Sequence, residues 1–364
     1  MIIQTAVDFS QPLRPMNFME KPNSIFRSIT KKTLAITPLL ISILLLSGCA
    51  STDSAISGGL NNPAAVKSDA WKYKDVQGTK MTSDHYRIHT TISAEDVKQL
   101  LPQVMEGAYT HYRKLVPDIK ASNDLMDCYI FLDRMEFNQF TKENTGRDSG
   151  TYLQIRRGGY ALGDRYVSYY IGDALTASVA SHEGWHQFVA RNFIGRLPPF
   201  MEEGFATTFE GIKLGEGQLP KWNTSLNPTR AQALQRCIDS NHLWPTEKLV
   251  RLHAGEVVKG TGDMIDAFYS QCWAFAKFLK EYDKGKYAPA LKLWLEETAN
   301  GTVYDPTHSH SRAGMPWNPG AVKPMLEHYL GKPLAEIDRE FQLYMRYLVK
   351  EEFPKQWNLN NWEY

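Results

Sequence analysis

The chain has 364 residues, of which 43% are hydrophobic and 22% charged, a composition that excludes wholesale disorder. Its 41 basic and 40 acidic residues give a formal net charge of +1, without the basic excess that nucleic-acid-binding proteins carry. The sequence therefore indicates one large domain or two modest ones and predicts no nucleic-acid partner.

The first element in chain order is an apolar segment. Three basic residues precede TLAITPLLISILLL (33–46), which is short for a membrane span but suits the core of a secretory signal peptide. It ends in LSGC (46–49), which resembles the lipobox of bacterial lipoproteins, in which the cysteine is lipidated. The resemblance implies a signal peptide over residues 1–49, a lipid on Cys49 and an anchor in the bacterial cell envelope. Ala50 after the cysteine implies the outer membrane. An ordinary signal peptide, or a membrane anchor that happens to contain Cys49, is the alternative.

Residues 50–70 are rich in Ser, Gly, Asn and Ala, and predict a flexible tether to a folded body that starts near Trp71. Cys128, Cys237 and Cys272 lie in that body, and none belongs to a C-x-x-C pair. In an oxidising compartment they permit one disulfide at most, and the sequence does not choose the pair.

Residues 71–172 predict an α/β subdomain. The predicted strands are HYRIHTTI (85–92), DCYIFLDR (127–134) and two alternating runs on either side of Gly158 and Gly159. The predicted helices are an amphipathic one that Ser93 caps and a short one around MEFNQFTKE (135–143).

Residues 173–353 predict a mainly helical subdomain, with Asp173 as the N-cap of its first helix and residues 354–364 as a C-terminal tail. Strands with interspersed helices, followed by helices, indicate an α+β fold. The later predicted helices are FMEEGFATTFEGI (200–212), NPTRAQALQRCI (227–238), MIDAFYSQCWAFAKFLKEY (264–282), YAPALKLWLEET (287–298) and PLAEIDREFQLYMRYLVKEE (333–352).

The predicted helix that begins after Asp173 contains SVASHEGWHQFVARNF (178–193). His182 and His186 are four residues apart, so they share one face of the helix, and that face is otherwise mostly apolar. Two imidazoles buried together need partners for their ring nitrogens, and a shared metal satisfies one nitrogen of each. Glu183 is rotated by about 100° from His182. HEGWH resembles the H-E-x-x-H motif of zinc peptidases, and this resemblance implies a carboxylate beside the metal rather than on it. Two histidines packed inside a structural helix are the alternative.

A candidate third ligand follows. Sixteen residues lie between His186 and Glu203, enough for a turn and a returning antiparallel helix. HEGWH followed by EEGFATTFE resembles the gluzincin zinc peptidases, the group of thermolysin and the aminopeptidase N family. The resemblance, which covers about residues 150–282, implies a zincin (thermolysin-like) catalytic domain. It also implies Zn²⁺ held by His182, His186 and Glu203, with Glu183 as the catalytic base. Glu202 is the alternative ligand in the neighbouring register.

Further roles follow from the same resemblance. Tyr269 would stabilise the transition state, with a packing role as the alternative. DRYVSYYIG (164–172) would be an edge strand that pairs with extended substrate, with an internal strand as the alternative. Gly204 and Ala206 would let the motif helix and the returning helix approach closely. Glu210, two turns after Glu203 on the same side, is a candidate acceptor for a histidine N–H, or else a solvated or structural glutamate.

The expected function is a zinc-dependent peptidase that hydrolyses peptide or protein substrates in the bacterial envelope. No G-x-M-E-N-like element precedes the motif, and the spacing from the second histidine to the glutamate is two residues shorter than in the aminopeptidase N family. An endopeptidase is therefore favoured over an aminopeptidase. The alternatives are a noncatalytic envelope binding or assembly lipoprotein with a peptidase-like fold, and an enzyme that hydrolyses a nonpeptide envelope amide. His308 and His310 are interpreted as an exposed polar loop rather than a second metal site.

Overall fold

The computed structural model describes residues 64–155, 158–215, 218–307, 318–359 and 362–363. The predicted signal peptide with Cys49, most of the tether, and His308 and His310 lie outside the described residues. Strands β1 to β8 are Lys67–Tyr73, Val76–Thr82, Tyr86–Thr90, Met126–Phe131, Gly159–Leu162, Arg165–Tyr169, Ile212–Lys213 and Lys221–Trp222. Helices α1 to α13 are Glu95–Leu115, Arg134–Asn144, Ser149–Tyr152, Asp173–Asn192, Pro199–Phe209, Pro228–Asp239, Thr246–Leu249, Ala254–Val257, Gly262–Gly285, Ala288–Asn300, Val322–Leu330, Leu334–Tyr347 and Phe353–Leu359.

One mixed sheet holds the first six strands, in the order β1-β2-β3-β4-β6-β5. Its centre is parallel, with Ile88 of β3 beside Cys128 of β4 and Cys128 beside Tyr166 of β6. The outer pairs are antiparallel. The strands precede a mainly helical half, so the mixed α/β architecture is compatible with the predicted α+β class.

The predicted edge strand over residues 164–172 is wrong. Its strand β6 is internal, between β4 and β5, and β5 is the edge strand at that end of the sheet among the described residues. The chain reverses at Gly163, whose φ of +61° suits a residue without a side chain, so the short run before it takes the edge. The first of the two predicted alternating runs also differs, because it contains the short helix α3.

Several predicted boundaries differ from the structure. Strand β1 begins at Lys67, inside the predicted tether. Helix α1 has Ala94 rather than Ser93 as its N-cap, without a side-chain cap. Helix α4 has Gly172 as its N-cap, and the Asp173 carboxylate instead accepts a hydrogen bond from the Tyr170 hydroxyl at 2.8 Å.

The predicted C-terminal tail is tied to the helical half. It contains most of α13, and Glu363 exchanges two backbone hydrogen bonds with Trp222 of β8, at 2.7 and 2.9 Å. Glu363 and α13 therefore belong to the folded body.

Helix α4 packs against α1, α5 and the β5–β6 end of the sheet. The Gln187 side-chain amide joins α4 to the beginnings of β4 and β6. Its Nε2 donates to the carbonyl oxygens of Asp127 at 2.8 Å and Asp164 at 2.6 Å. The sheet therefore fixes the rotation of α4 about its own axis. Cys128, which lies beneath this amide, is a free and buried thiol, as are Cys237 and Cys272.

Gly204 allows a close contact in the helical half, but with α9 rather than with the motif helix α4. A Cβ atom at this position would lie 2.5 Å from the Cys272 carbonyl oxygen. We therefore expect Gly204→Ala to lower the free energy of unfolding by about 1–3 kcal/mol, because the backbone of α9 must move away. Urea denaturation measures this change.

Gly262→Ala, in the first turn of α9, is the matched control. A Cβ atom there meets nothing within 4 Å, so its stability should stay within about 0.5 kcal/mol of the wild type. Equal stability of the two variants would show that the α5–α9 contact tolerates a methyl group.

Candidate metal centre

Helices α4 and α5 supply the residues of the centre. His182, Glu183 and His186 lie in the buried middle of α4, and Glu203 lies in α5. Pro199 at the first position of α5 starts the second helix, since its ring fixes φ and it has no N–H to leave unpaired. The turn between the helices brings Glu203 back to the two histidines, and these four residues are at most 1% exposed.

The three predicted ligand residues converge on one point. Glu203 Oε2 lies 3.3 Å from His182 Nε2 and 3.5 Å from His186 Nε2, and the two Nε2 atoms are 3.3 Å apart. A tetrahedral ion with bonds of about 2.0–2.1 Å holds its ligand atoms about 3.3–3.4 Å from one another. The donor atoms therefore have the spacing of one face of such a tetrahedron, and the group can hold a metal ion.

The outer nitrogens of both histidines contact carboxylates. His182 Nδ1 lies 2.9 Å from Glu210 Oε1, and His186 Nδ1 lies 2.9 Å from Glu202 Oε1. An ionised carboxylate only accepts, so each Nδ1 carries the proton and donates it. In its neutral form, each ring then presents an Nε2 lone pair toward Glu203. Three acceptor atoms that face one another in a buried space require a cation between them.

The hydrogen bonding and the pKa values of Glu203 and His186 are consistent with a cation at this point. Neither oxygen of Glu203 has a hydrogen-bond partner of standard geometry among the described residues. Burial raises the pKa of Glu203, but His186 and His182 outweigh this effect and hold it below the usual range. Burial lowers the pKa of His186, but Glu203 and Glu202 outweigh it and raise the pKa. Any metal must therefore displace a proton from His186 when it binds.

Glu183 lies beside the ligand group without joining it. Neither of its oxygens has a hydrogen-bond partner of standard geometry in the described part of the chain, although the Ala161 amide of β5 approaches the carboxylate. Burial is the main cause that raises the pKa of Glu183, to about 7. This side chain can therefore hold or release a proton near neutral pH.

The structure also places Glu210 and Tyr269 near the centre. Glu210 contacts His182, as described above, and the Tyr269 ring centroid lies 6.4 Å from that of His182. The residues that hold Glu210 were not predicted from the sequence. The Arg230 guanidinium of α6 donates to both of its oxygens, at 2.6 and 2.9 Å. Burial raises the pKa of Glu210, but Arg230 and His182 outweigh it and lower the pKa to about 2. The sequence signal for Arg230 was its place on the apolar face of its helix, which indicates burial but identifies no partner.

Comparison with known proteins assigns this chain to no family. No protein-family model, curated protein or solved structure matches this chain. A search of the described residues for membrane spans finds no helix with the required length and apolar character. The functional argument therefore rests on the geometry of the centre.

Metal binding should stabilise the fold, because the ligand residues come from two helices and their buried charges lack a cation without it. We expect zinc at about a thousandfold above its dissociation constant to raise the free energy of unfolding by about 4 kcal/mol. Thermal unfolding of chelator-treated protein with and without Zn²⁺ measures this change. Mg²⁺, which prefers oxygen ligands, is the control and should give little shift. Identical melting curves with and without zinc would contradict a metal site here.

Proposed function

We propose that the protein is a zinc-dependent peptidase of the gluzincin type, with a zincin-like catalytic domain. Two histidine nitrogens and one carboxylate oxygen form a donor set that catalytic zinc uses with its fourth position open. Support comes from the convergence of these atoms on one buried point and from the HEGWH and EEGFA motifs that supply them.

The observation that carries the proposal is the Glu183 carboxylate, which is fully buried beside the ligand group and has no hydrogen-bond partner of standard geometry among the described residues. A purely structural metal site has no use for such a group, whereas hydrolysis needs a proton acceptor there. Zinc, when bound, supplies Lewis acidity toward a carbonyl oxygen and makes a water molecule acidic near neutral pH. Glu183 takes a proton from the attacking water and returns it to the nitrogen of the leaving amine.

Strand β5 is the segment we propose for substrate binding. No strand pairs with its outer side among the described residues, and its Ala161 amide approaches the Glu183 carboxylate. An extended peptide added to this edge would run past the proposed base, and main-chain hydrogen bonds would hold it with little dependence on sequence. This mode suits an endopeptidase. Tyr269 is the proposed donor to the developing oxyanion.

The proposed location is the bacterial envelope, with a lipid on Cys49 that anchors the protein to the outer membrane. This part of the proposal rests on the N-terminal sequence alone, in which the apolar run ends in LSGC. Peptides or proteins of that compartment would be the substrates. Mass spectrometry of the mature N-terminus tests the anchor, and a chain that keeps residues before Cys49 would contradict it.

Cleavage of a proteome-derived peptide library by the zinc-loaded protein tests the activity. Mass spectrometry should find new peptide ends. Prolonged dialysis against a chelator should abolish the cleavage, and added zinc should restore it. Stoichiometric zinc without cleavage of any peptide in the library would contradict a peptidase.

A noncatalytic envelope protein with a peptidase-like fold is the second candidate. The observation that favours it is burial: His182, Glu183, His186 and Glu203 are each at most 1% exposed. A structural site needs no access to solvent. The two candidates differ in the coordination of the bound ion. A fourth protein ligand, together with an inactive protein, would favour the structural role, and an open position would favour catalysis.

A further inference from the structure

Glu210 receives hydrogen bonds on every side. Its Oε1 accepts from His182 Nδ1 at 2.9 Å and from Arg230 Nη2 at 2.6 Å. Its Oε2 accepts from Arg230 Nε at 2.9 Å and from Asn227 Nδ2 at 2.7 Å. A carboxylate has about four lone-pair sites, so four donors fill it and fix its plane. The orientation of Glu210 is therefore set by α6 and its cap rather than by its own helix.

Arg230 has little freedom to adopt another position. Its side chain is 2% exposed, and its guanidinium carbon lies 4.9 Å from the centroid of the Tyr269 ring, on α9. Asn227 caps α6 by accepting from the Arg230 backbone N–H at 3.1 Å, and the same side chain donates to Glu210. The start of α6 is thereby fastened to the carboxylate that contacts the metal-binding histidine.

The second histidine has a much weaker support. One oxygen of Glu202 contacts His186 Nδ1. Among the described residues, the Glu202 carboxylate makes no other hydrogen bond. The contrast identifies His182 as the ligand whose ring is held in advance by a buried ion pair. Ligands held in this way lose less freedom when a metal binds, so the support raises metal affinity.

We propose that Arg230 is a positioning residue of the metal centre. It holds Glu210 in the one orientation in which His182 donates its Nδ1 proton and presents its Nε2 lone pair to the metal. The bidentate fork of arginine is required, because it contacts both oxygens at once, whereas a lysine ammonium provides only a point charge.

The test measures zinc affinity by competition with a chromophoric chelator. Arg230→Gln should weaken zinc binding up to about 10–100-fold, the loss that follows when Glu210, the outer partner of His182, is no longer held in place. Arg230→Lys should give an intermediate loss. Arg236→Gln is the matched control, since Arg236 lies on the same helix and pairs with Asp266 but its side chain is 59% exposed, and it should bind zinc within twofold of the wild type.

A purely structural role would change the stability of the metal-free protein without changing its zinc affinity, so thermal unfolding in chelator is measured for each variant. If Arg230→Gln fails to fold, the double variant Glu210→Met and Arg230→Met removes both buried charges, a replacement that proteins often tolerate. It should fold and bind zinc at least about tenfold more weakly. Wild-type zinc affinity in any folded variant that lacks the guanidinium would overturn the inference. Peptidase activity does not enter this test, so an inactive protein would leave the inference standing.

Discussion

Replacing Glu183 by Gln is expected to reduce peptide hydrolysis about 10²–10⁴-fold while zinc remains bound. The amide has nearly the same shape as the carboxylate but cannot accept a proton from the attacking water. Glu183 is not among the three ligand residues, so the metal content should not change. Steady-state cleavage of a peptide identified in the library measures the rate, and atomic absorption measures zinc.

Glu256→Gln is the control for this variant, because the Glu256 side chain is 55% exposed and lies outside the centre. It should cleave at the wild-type rate. A Glu183→Gln protein that retained zinc and full activity would show that another group accepts the proton. A variant that lost zinc instead would make Glu183 a ligand rather than a base.

Replacing Glu203 by Ala is expected to weaken zinc binding about 10²–10³-fold. Zinc sites with four ligands bind with about 10–16 kcal/mol, so the loss of one ligand corresponds to about 3–4 kcal/mol. The two histidines would then face each other across the buried space without the carboxylate that neutralises the ion. Competition with a chelator of known affinity measures the change, and activity should fall with it.

Glu202→Gln distinguishes the two adjacent glutamates. Glu202 contacts the outer nitrogen of His186 rather than the ligand group, so its replacement should cost only about 10–100-fold in zinc affinity. The larger effect at Glu203 would agree with the ligand assignment. The reverse order would mean that the ligand register is shifted by one residue.

The sequence predicted that His182, His186 and Glu203 lie together, because their placement follows local rules. The four-residue spacing of His182 and His186 places both on one helix face. Pro198 and Pro199, at the start of α5, prevent the motif helix from continuing, so the chain turns and brings Glu203 back. The role of Arg230 follows no such rule. It depends on α6 packing beside α4 and α5, and a charge pair between separate helices leaves no periodic pattern in the chain.

The sheet was harder to predict than the centre. Strands β1 and β2 are mainly polar and half-exposed, so the beginning of β1 has the composition of a tether. The order of β5 and β6 depends on which of them pairs with β4. Tertiary contacts, not the local sequence, determine this pairing. Strand β5 has only four residues, so its alternation of side chains is a weaker strand signal than the longer run of β6.

The burial of the ligand group has a consequence for the supply of metal. With His182, His186 and Glu203 at most 1% exposed, an ion enters or leaves only when the surrounding helices and sheet edge open. Exchange therefore occurs at the rate of local opening rather than at the rate of diffusion. An ion bound during folding would therefore be replaced by a competing metal only as fast as the site opens, whatever the intrinsic affinities of the two metals. The identity of the bound metal would then depend on the metals present in the compartment in which the chain folds.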